Sequence, residues 1–294
     1  MLFFRNPTAW NLMTLQQMEI LPLHLKKDFW EKFSSSVKRR YLGSFLQFLK
    51  KKIPMWRLSR LHQESTVARF RRSADCIVGN ITTLTIMDDA FPLQYDSTQF
   101  DLCLDATVLN DNLAAVTEKV VDESLEMIIL DKLNQLYPSG LPESVVQLLG
   151  STSRVANVSD ISKWNITTID TLSSLMNSDN GDWTSEQSKA VIMKYLSVEG
   201  NTLGTAELNA INSNLCSLDV SVLNTITADS LQNANTLNVS LCSTDRKSAL
   251  YSIANSSFSS QRSDPTMFYQ MISPYLGNSH LDTHTVLTWY KLKH

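Results

Sequence analysis

The chain has 294 residues, of which 43% are apolar, and only 8 Gly and 8 Pro. That is enough for one large or two ordinary domains with a sizeable core, and it excludes collagen-like, turn-rich and low-complexity architectures. The net charge of −3 hides a split: residues 1–72 hold 15 Lys/Arg against 4 Asp/Glu, and residues 73–294 hold 11 against 25. Such asymmetry marks two parts with different roles, and the long acidic part does not suit a nucleic-acid partner.

Leu-rich runs at helical spacing dominate and alternating patterns are scarce, so the chain is expected to be all-α. No apolar run approaches the roughly 20 residues of a membrane span. The start, Met1-Leu2-Phe3-Phe4-Arg5, is too short for a signal-peptide core. The end, Thr288 to His294, does not read as a GPI-attachment signal. The expectation from this sequence is neither leader nor anchor.

Residues 10–53 read as helices. The stretch from Lys38 to Lys52 is basic and amphipathic. It suits an anionic membrane surface or, as the blander reading, a helix with a solvated basic face. Pro54 ends it. A basic connector then leads to Arg69-Phe70-Arg71-Arg72. Three arginines in four residues suit the acidic cleft of a furin-like protease, because each guanidinium can fork onto a carboxylate. Many such clusters are merely solvated loops. Cleavage after Arg72 is the expectation, at the place where the charge changes sign.

From Cys76 to Cys103 helical signals are few. Helices are expected to start at Asp105 and Asp122, the second with Leu125, Ile129, Leu133 and Leu136 on one stripe. Pro138 stops it. Pro142 suits the first turn of the next helix, Glu143 its positive end, and Gly150 its finish. Ile169, Leu172, Leu175 and Met176 form another short helix after Trp164. Thr184 and Gln187 fit a capping box, with Val191 and Tyr195 on one face. Further starts are expected at Thr205 (with Leu208, Ile211 and Leu215 inward), Asp219 (Leu223, Ile226), Thr227 and Ser243 (Leu250, Ile253, Ala254). Asp264-Pro265 opens a helix with Met267, Phe268, Met271 and Ile272 inward. The last begins near Leu281. Starts recur every ten to twenty residues without a fixed period. Helices this short must stack on neighbours to persist in water. The expected fold is therefore an irregular right-handed α-solenoid, like armadillo or HEAT superhelices, with an open final face.

Catalytic signatures are absent. No glycine pattern suits a nucleotide, no G-x-S-x-G elbow is present, and no cofactor is expected. His280 and His284 lie one turn apart, but exposed histidines explain them better than a metal. Four cysteines occur, Cys76, Cys103, Cys216 and Cys242. Their spacing does not suit zinc. They are either four buried free thiols or two disulfides, and sequence alone leaves three pairings open. Five N-x-S/T sequons occur, at Asn80, Asn157, Asn165, Asn238 and Asn255, about as many as chance provides.

The phrase Leu136-Tyr137-Pro138-Ser139-Gly140-Leu141-Pro142-Glu143-Ser144-Val145-Val146-Gln147-Leu148-Leu149 is followed by Lys163-Trp164-Asn165-Ile166-Thr167 and a Leu-rich helix. It resembles the mesothelin family, within the mesothelin, stereocilin and otoancorin superfamily, and the likeness runs from about Arg69 to Leu287. The resemblance implies a cell-surface, non-catalytic adhesion glycoprotein that binds a membrane mucin of the ovarian-cancer antigen type. It implies pairing of Cys76 with Cys103 and of Cys216 with Cys242, processing at the arginine cluster, a glycan at Asn165, and membrane attachment through a GPI anchor that this chain lacks. It divides the chain into a basic precursor segment, 1–72, and a helical solenoid, 73–294. It places mucin binding in roughly Ser73 to Leu136, where Tyr95 and Phe100 are either interface anchors or core. Two alternatives stand beside it: a soluble intracellular helical-repeat adaptor, and a secreted signalling fragment made from 1–72.

Overall fold

The computed structural model describes residues 75–276 other than Ala90, together with residues 12–18 and the positions Leu21, Phe29, Phe33, Val37 and Tyr41. Helix α1 is Leu12–Gln17. Arg69, Arg71, Arg72, the basic stretch 42–52, His280, His284 and the helix expected from Leu281 lie outside the described residues.

Among the described residues every regular element is helical, and the β-type pairing is one parallel bridge, Ile81 to Leu104. The all-α expectation holds. Two compact units are present. The described residues up to Ala156, with Ser178–Gly181, form the first; Asn157–Asn177 and those from Asp182 onward form the second.

The first unit contains α2 (Thr83–Met87), α3 (Ser97–Cys103), α4 (Ala106–Asp111), α5 (Leu113–Lys119), α6 (Glu123–Leu136) and α7 (Glu143–Val146), then a 3-10 turn at Gly150–Val155. Local chemistry sets the starts. The side chains of Thr82, Asp96, Asp105 and Asp122 each accept a backbone N–H of the turn that follows, which satisfies donors a helix leaves orphaned. α6 buries Leu125, Ile129, Leu130 and Leu133 against α3, α4 and the Gly150–Val155 turn. Leu136, expected on that stripe, is exposed. Two further expectations shift. Pro142 sits at the cap rather than inside α7, which ends at Val146. Gly150, at φ +52°, opens the 3-10 turn instead of ending the helix. A side chain is disfavoured at such a backbone angle, and glycine is not.

The second unit contains α8 (Val158–Lys163), α9 (Ile169–Met176), α10 (Ser185–Leu196), α11 (Thr205–Ile211), α12 (Val220–Leu223), α13 (Ala228–Gln232), α14 (Thr244–Ser257) and α15 (Pro265–Ile272). The capping box at Thr184 and Gln187 forms in both directions. Helix α8 was not expected: its start is a second capping box, between Asn157 and Asp160. Several helices pack on one two further along, α8 on α10, α9 on α11, α11 on α13 and α12 on α14, while α13 packs on its neighbour α14. Trp164, at 1% exposure, is among the largest fully buried side chains. On α15 the inward pair is Phe268 and Ile272, while Met267 is 44% exposed and Met271 half-buried. The buried face is the i, i+4 pair alone.

Ties between neighbouring layers span similar chain lengths. Ser151 Oγ donates to Glu126 Oε1 across 25 residues, Tyr137 OH to Asn110 Oδ1 across 27, Ser188 Oγ to Asn214 Oδ1 across 26, and Thr205 Oγ1 to Ser230 O across 25. The longest such step, Asn201 Nδ2 to Thr167 O, is 34. The disulfides Cys76–Cys103 and Cys216–Cys242 span 27 and 26. One turn of the stack thus consumes about one such length, although helix starts keep no fixed period. Within each unit this is the stacking of an irregular α-solenoid, in which each layer buries its apolar side on the next.

Candidate interaction surface

The segment from Cys76 to Cys103 was expected to be a loop. It is a folded lobe with α2 and α3 inside it, closed by the Cys76–Cys103 disulfide. Gln99, 1% exposed, organises its base. Its Oε1 accepts the N–H groups of Ile77 at 2.7 Å and Val78 at 3.3 Å, and its Nε2 donates to Asp75 O at 3.2 Å. A buried amide that meets three backbone groups fixes the incoming strand of chain against α3. Ile81 N donates to Cys103 O at 2.9 Å, beside the bridge to Leu104.

An aromatic cluster fills the interior. Phe91 meets Tyr95 edge-on at 6.3 Å and Phe100 at 6.1 Å between ring centroids. Tyr95 is 2% exposed and Phe100 0%. The Tyr95 hydroxyl donates to Gly79 O at 3.0 Å, and burial raises its pKa. Of the two roles open to these residues, their burial matches core packing. Rings turned into the core present little surface to a partner, so in this fold Tyr95 and Phe100 pack the lobe.

The outside of the lobe is apolar at other positions. Leu84 and Met87, one turn apart on α2, are 81% and 68% exposed, while Ile86 between them is fully buried. Ile77 and Leu102 are also exposed. α2 is held from behind: Lys119 Nζ donates to Ile86 O at 2.7 Å and Asp88 O at 3.1 Å, the carbonyl end of the helix. A cation there suits the helix dipole. The i, i+3 spacing of Leu84 and Met87 was the available sequence signal, but it was hidden in a stretch read as irregular.

The sequons fall differently. Asn80, Asn157, Asn165 and Asn238 are exposed, and Asn255 is half-buried on α14. Asn165 follows the buried Trp164, which anchors the chain while the asparagine faces solvent. Asn157 Oδ1 accepts Asp160 N at 2.9 Å. Asn238 Oδ1 accepts both Ser240 N, at 3.2 Å, and Ser240 Oγ, at 2.7 Å. Asn255 is tied by Arg262 through its Oδ1 and its main-chain carbonyl. No group of residues suited to hold a metal is present among the described residues, and no helix there is long and apolar enough to cross a membrane.

Stacked short helices, two disulfides one layer step long and a disulfide-closed lobe that exposes Leu84 and Met87 define a helical-layer protein with a presented surface. The family model for mesothelin matches residues 3–290, and the chain belongs to the mesothelin family. It is 29% identical to the mesothelin-like protein of Mus musculus over 297 residues, covering 94% of this chain and 41% of that protein. It is 29% identical to the human mesothelin-like protein, covering 93% of this chain and 39% of that protein. Mesothelin of Mus musculus is 27% identical, with 93% and 43% covered. The chain therefore spans about two fifths of the length of these relatives.

Proposed function

We propose that this chain forms the recognition part of a non-catalytic, cell-surface adhesion glycoprotein that binds a membrane mucin through the Cys76–Cys103 lobe. Family membership supports the surface location and the adhesive class. The observation that carries the site is the pair Leu84 and Met87, exposed at 81% and 68% on a helix whose other side is locked down. Exposed apolar side chains on a rigid frame are what a partner can bury without ordering the binder first. The two disulfides support an oxidising, extracellular compartment over an intracellular adaptor. Within this reading, a furin-like protease cuts after Arg72, glycans occupy Asn165 and other exposed sequons, and attachment to the membrane is by a GPI anchor.

The test is the double variant Leu84→Asp/Met87→Asp, assayed for binding to cells that display the mucin. Binding is expected to weaken at least about tenfold, because central apolar contacts dominate such interfaces, with the thermal unfolding midpoint unchanged. Tyr95→Ala is expected to lower both together, since it empties the core. Undiminished binding by the Leu84/Met87 variant would refute the lobe as the site.

A further inference from the structure

Asn212 ends α11 and opens the following 3-10 turn, Asn212–Ser217, with φ +45° and ψ −117°. Among the described residues it is the non-glycine residue at positive φ. A residue with a Cβ stays in such a conformation only where its surroundings over-determine it. Here they do. Asn238 N donates to Asn212 Oδ1 at 2.8 Å, and one turn earlier Asn235 N donates to Asn209 Oδ1 at 2.7 Å. One turn later comes the Cys216–Cys242 disulfide. All three ties join residues 26 apart. They lock one layer in register with the next and clamp Asn212 from both sides.

That backbone angle has a chemical consequence. In an L-residue, a ψ near about −120° swings the next backbone nitrogen into eclipse with Cβ, the torsion required by a five-membered ring. At −117°, Asn212 holds Ser213 N on the same side of the backbone as its own side chain. The Ser213 N–H lies in the first turn of the 3-10 helix, whose own carbonyls do not reach it. The Asn238 N–H polarises the Asn212 side-chain carbonyl and sits where negative charge would gather on Oδ1, as an oxyanion donor does. Asn212 is exposed, so water reaches it.

We propose that Asn212–Ser213 is a self-modification site, where the Ser213 backbone nitrogen attacks Asn212 Cγ. The N–Cγ bond forms as the Ser213 amide proton passes to solvent. The bond from Cγ to the side-chain nitrogen breaks, and ammonia leaves with a proton drawn from solvent. The product is a cyclic imide. Water then opens it at one of two carbonyls. Addition at Cγ gives aspartate; addition at the main-chain carbonyl gives isoaspartate, with the chain rerouted through the side chain. Both products place a carboxylate beside the Cys216–Cys242 tie, where the parent has none. No enzyme, oxidant or cofactor takes part.

A second site in the same molecule serves as an internal control. By sequence alone, Asn180-Gly181 is the more reactive pair, because glycine hinders the attack least. In the fold, Gly181 N already donates to Ser178 O at 3.1 Å. The experiment incubates the folded, disulfide-intact chain at mildly alkaline pH and maps its peptides by mass spectrometry. The Asn212 peptide is expected to gain water minus ammonia at least about tenfold faster than the Asn180 peptide, since the fold pre-sets the attack. In the reduced, denatured chain the order is expected to reverse. Asn212→Gln, whose longer side chain cannot close the five-membered ring, should remove the reaction at position 212 and leave that at Asn180 unchanged, with circular dichroism as the check that this variant is folded. The comparison within the parent chain stands even where the variant does not fold. Reaction at Asn212 no faster than at Asn180 in the folded chain overturns the proposal, and so does an equal Asn212 rate in the folded and denatured chains.

Discussion

Gln99 carries more of the candidate site than either aromatic residue singled out from sequence. It is buried, and it satisfies Ile77 N, Val78 N and Asp75 O. Gln99→Leu keeps the volume and strands those backbone groups. The expected loss is about 2–3 kcal/mol, measured as a lower urea midpoint. Two exposed carboxylates make a pH prediction. The backbone N–H groups of Thr107 and Val108 hold Asp105 below its ordinary value, and the Lys189 ammonium, 2.6 Å away, does the same for Asp219. A depressed carboxyl stabilises the fold above its unfolded pKa, and that contribution is lost as the pH falls through the folded value. The gap in Tm between the parent and Asp105→Ala or Asp219→Ala should therefore be widest at neutral pH and shrink below about pH 4. A gap that holds constant into acid would sink this account. Tyr275 works in the other direction. Burial pushes its hydroxyl up to about 12, so stability should fall as the pH rises above the ordinary tyrosine value of 10.0 towards it.

At the scale of the element, most helix starts were legible from a side chain able to serve the first turn. Asp105, Asp122, Thr184, Thr227 and Asp264 cap with their side chains, and Asp219 stands at a cap with its carboxylate turned to Lys189. Capping is local chemistry, and a sequence displays it directly. The misses are instructive. Asn157 was read as a sequon, yet with Asp160 it also opens α8. Thr82 and Asp96 carried the same signal for α2 and α3, but helices of five and seven residues are too short to show a period. Tyr95 and Phe100 could not be placed from sequence, because a large aromatic suits a core and an interface equally. Only the neighbours decide, and Phe91 and Gly79 are those neighbours. Thr184→Ala, which removes one half of a capping box, is expected to cost about 1 kcal/mol and to raise amide exchange in the first turn of α10 ahead of its last.

For the whole molecule, the class of fold was readable and its repeat length was not. Steps of about one layer emerge only when cross-layer partners are paired off, as Ser188 with Asn214 or Thr205 with Ser230; no residue type marks them along the chain. The cysteines obey the same step, and each disulfide therefore restrains a loop of one layer. Cys216→Ser with Cys242→Ser should remove about 3.5 kcal/mol by loop-closure entropy. The loss should show first as exchange in the segment 235–242, which then keeps its hydrogen bonds to Asn209 and Asn212 but loses its covalent tie. Uniform loosening of every layer would contradict so local a restraint.

All four cysteine sulfurs lie on the far side of the arginine cluster: the nearest, Cys76, follows Arg72 by four positions. A scission there severs the last covalent thread to the cationic leader, and the freed piece should run separately on a denaturing gel without any thiol reagent. A nick between Asp88 and Phe91 has the opposite fate. Its halves stay bolted together by Cys76 and Cys103, migrate as one band, and part only once dithiothreitol is added.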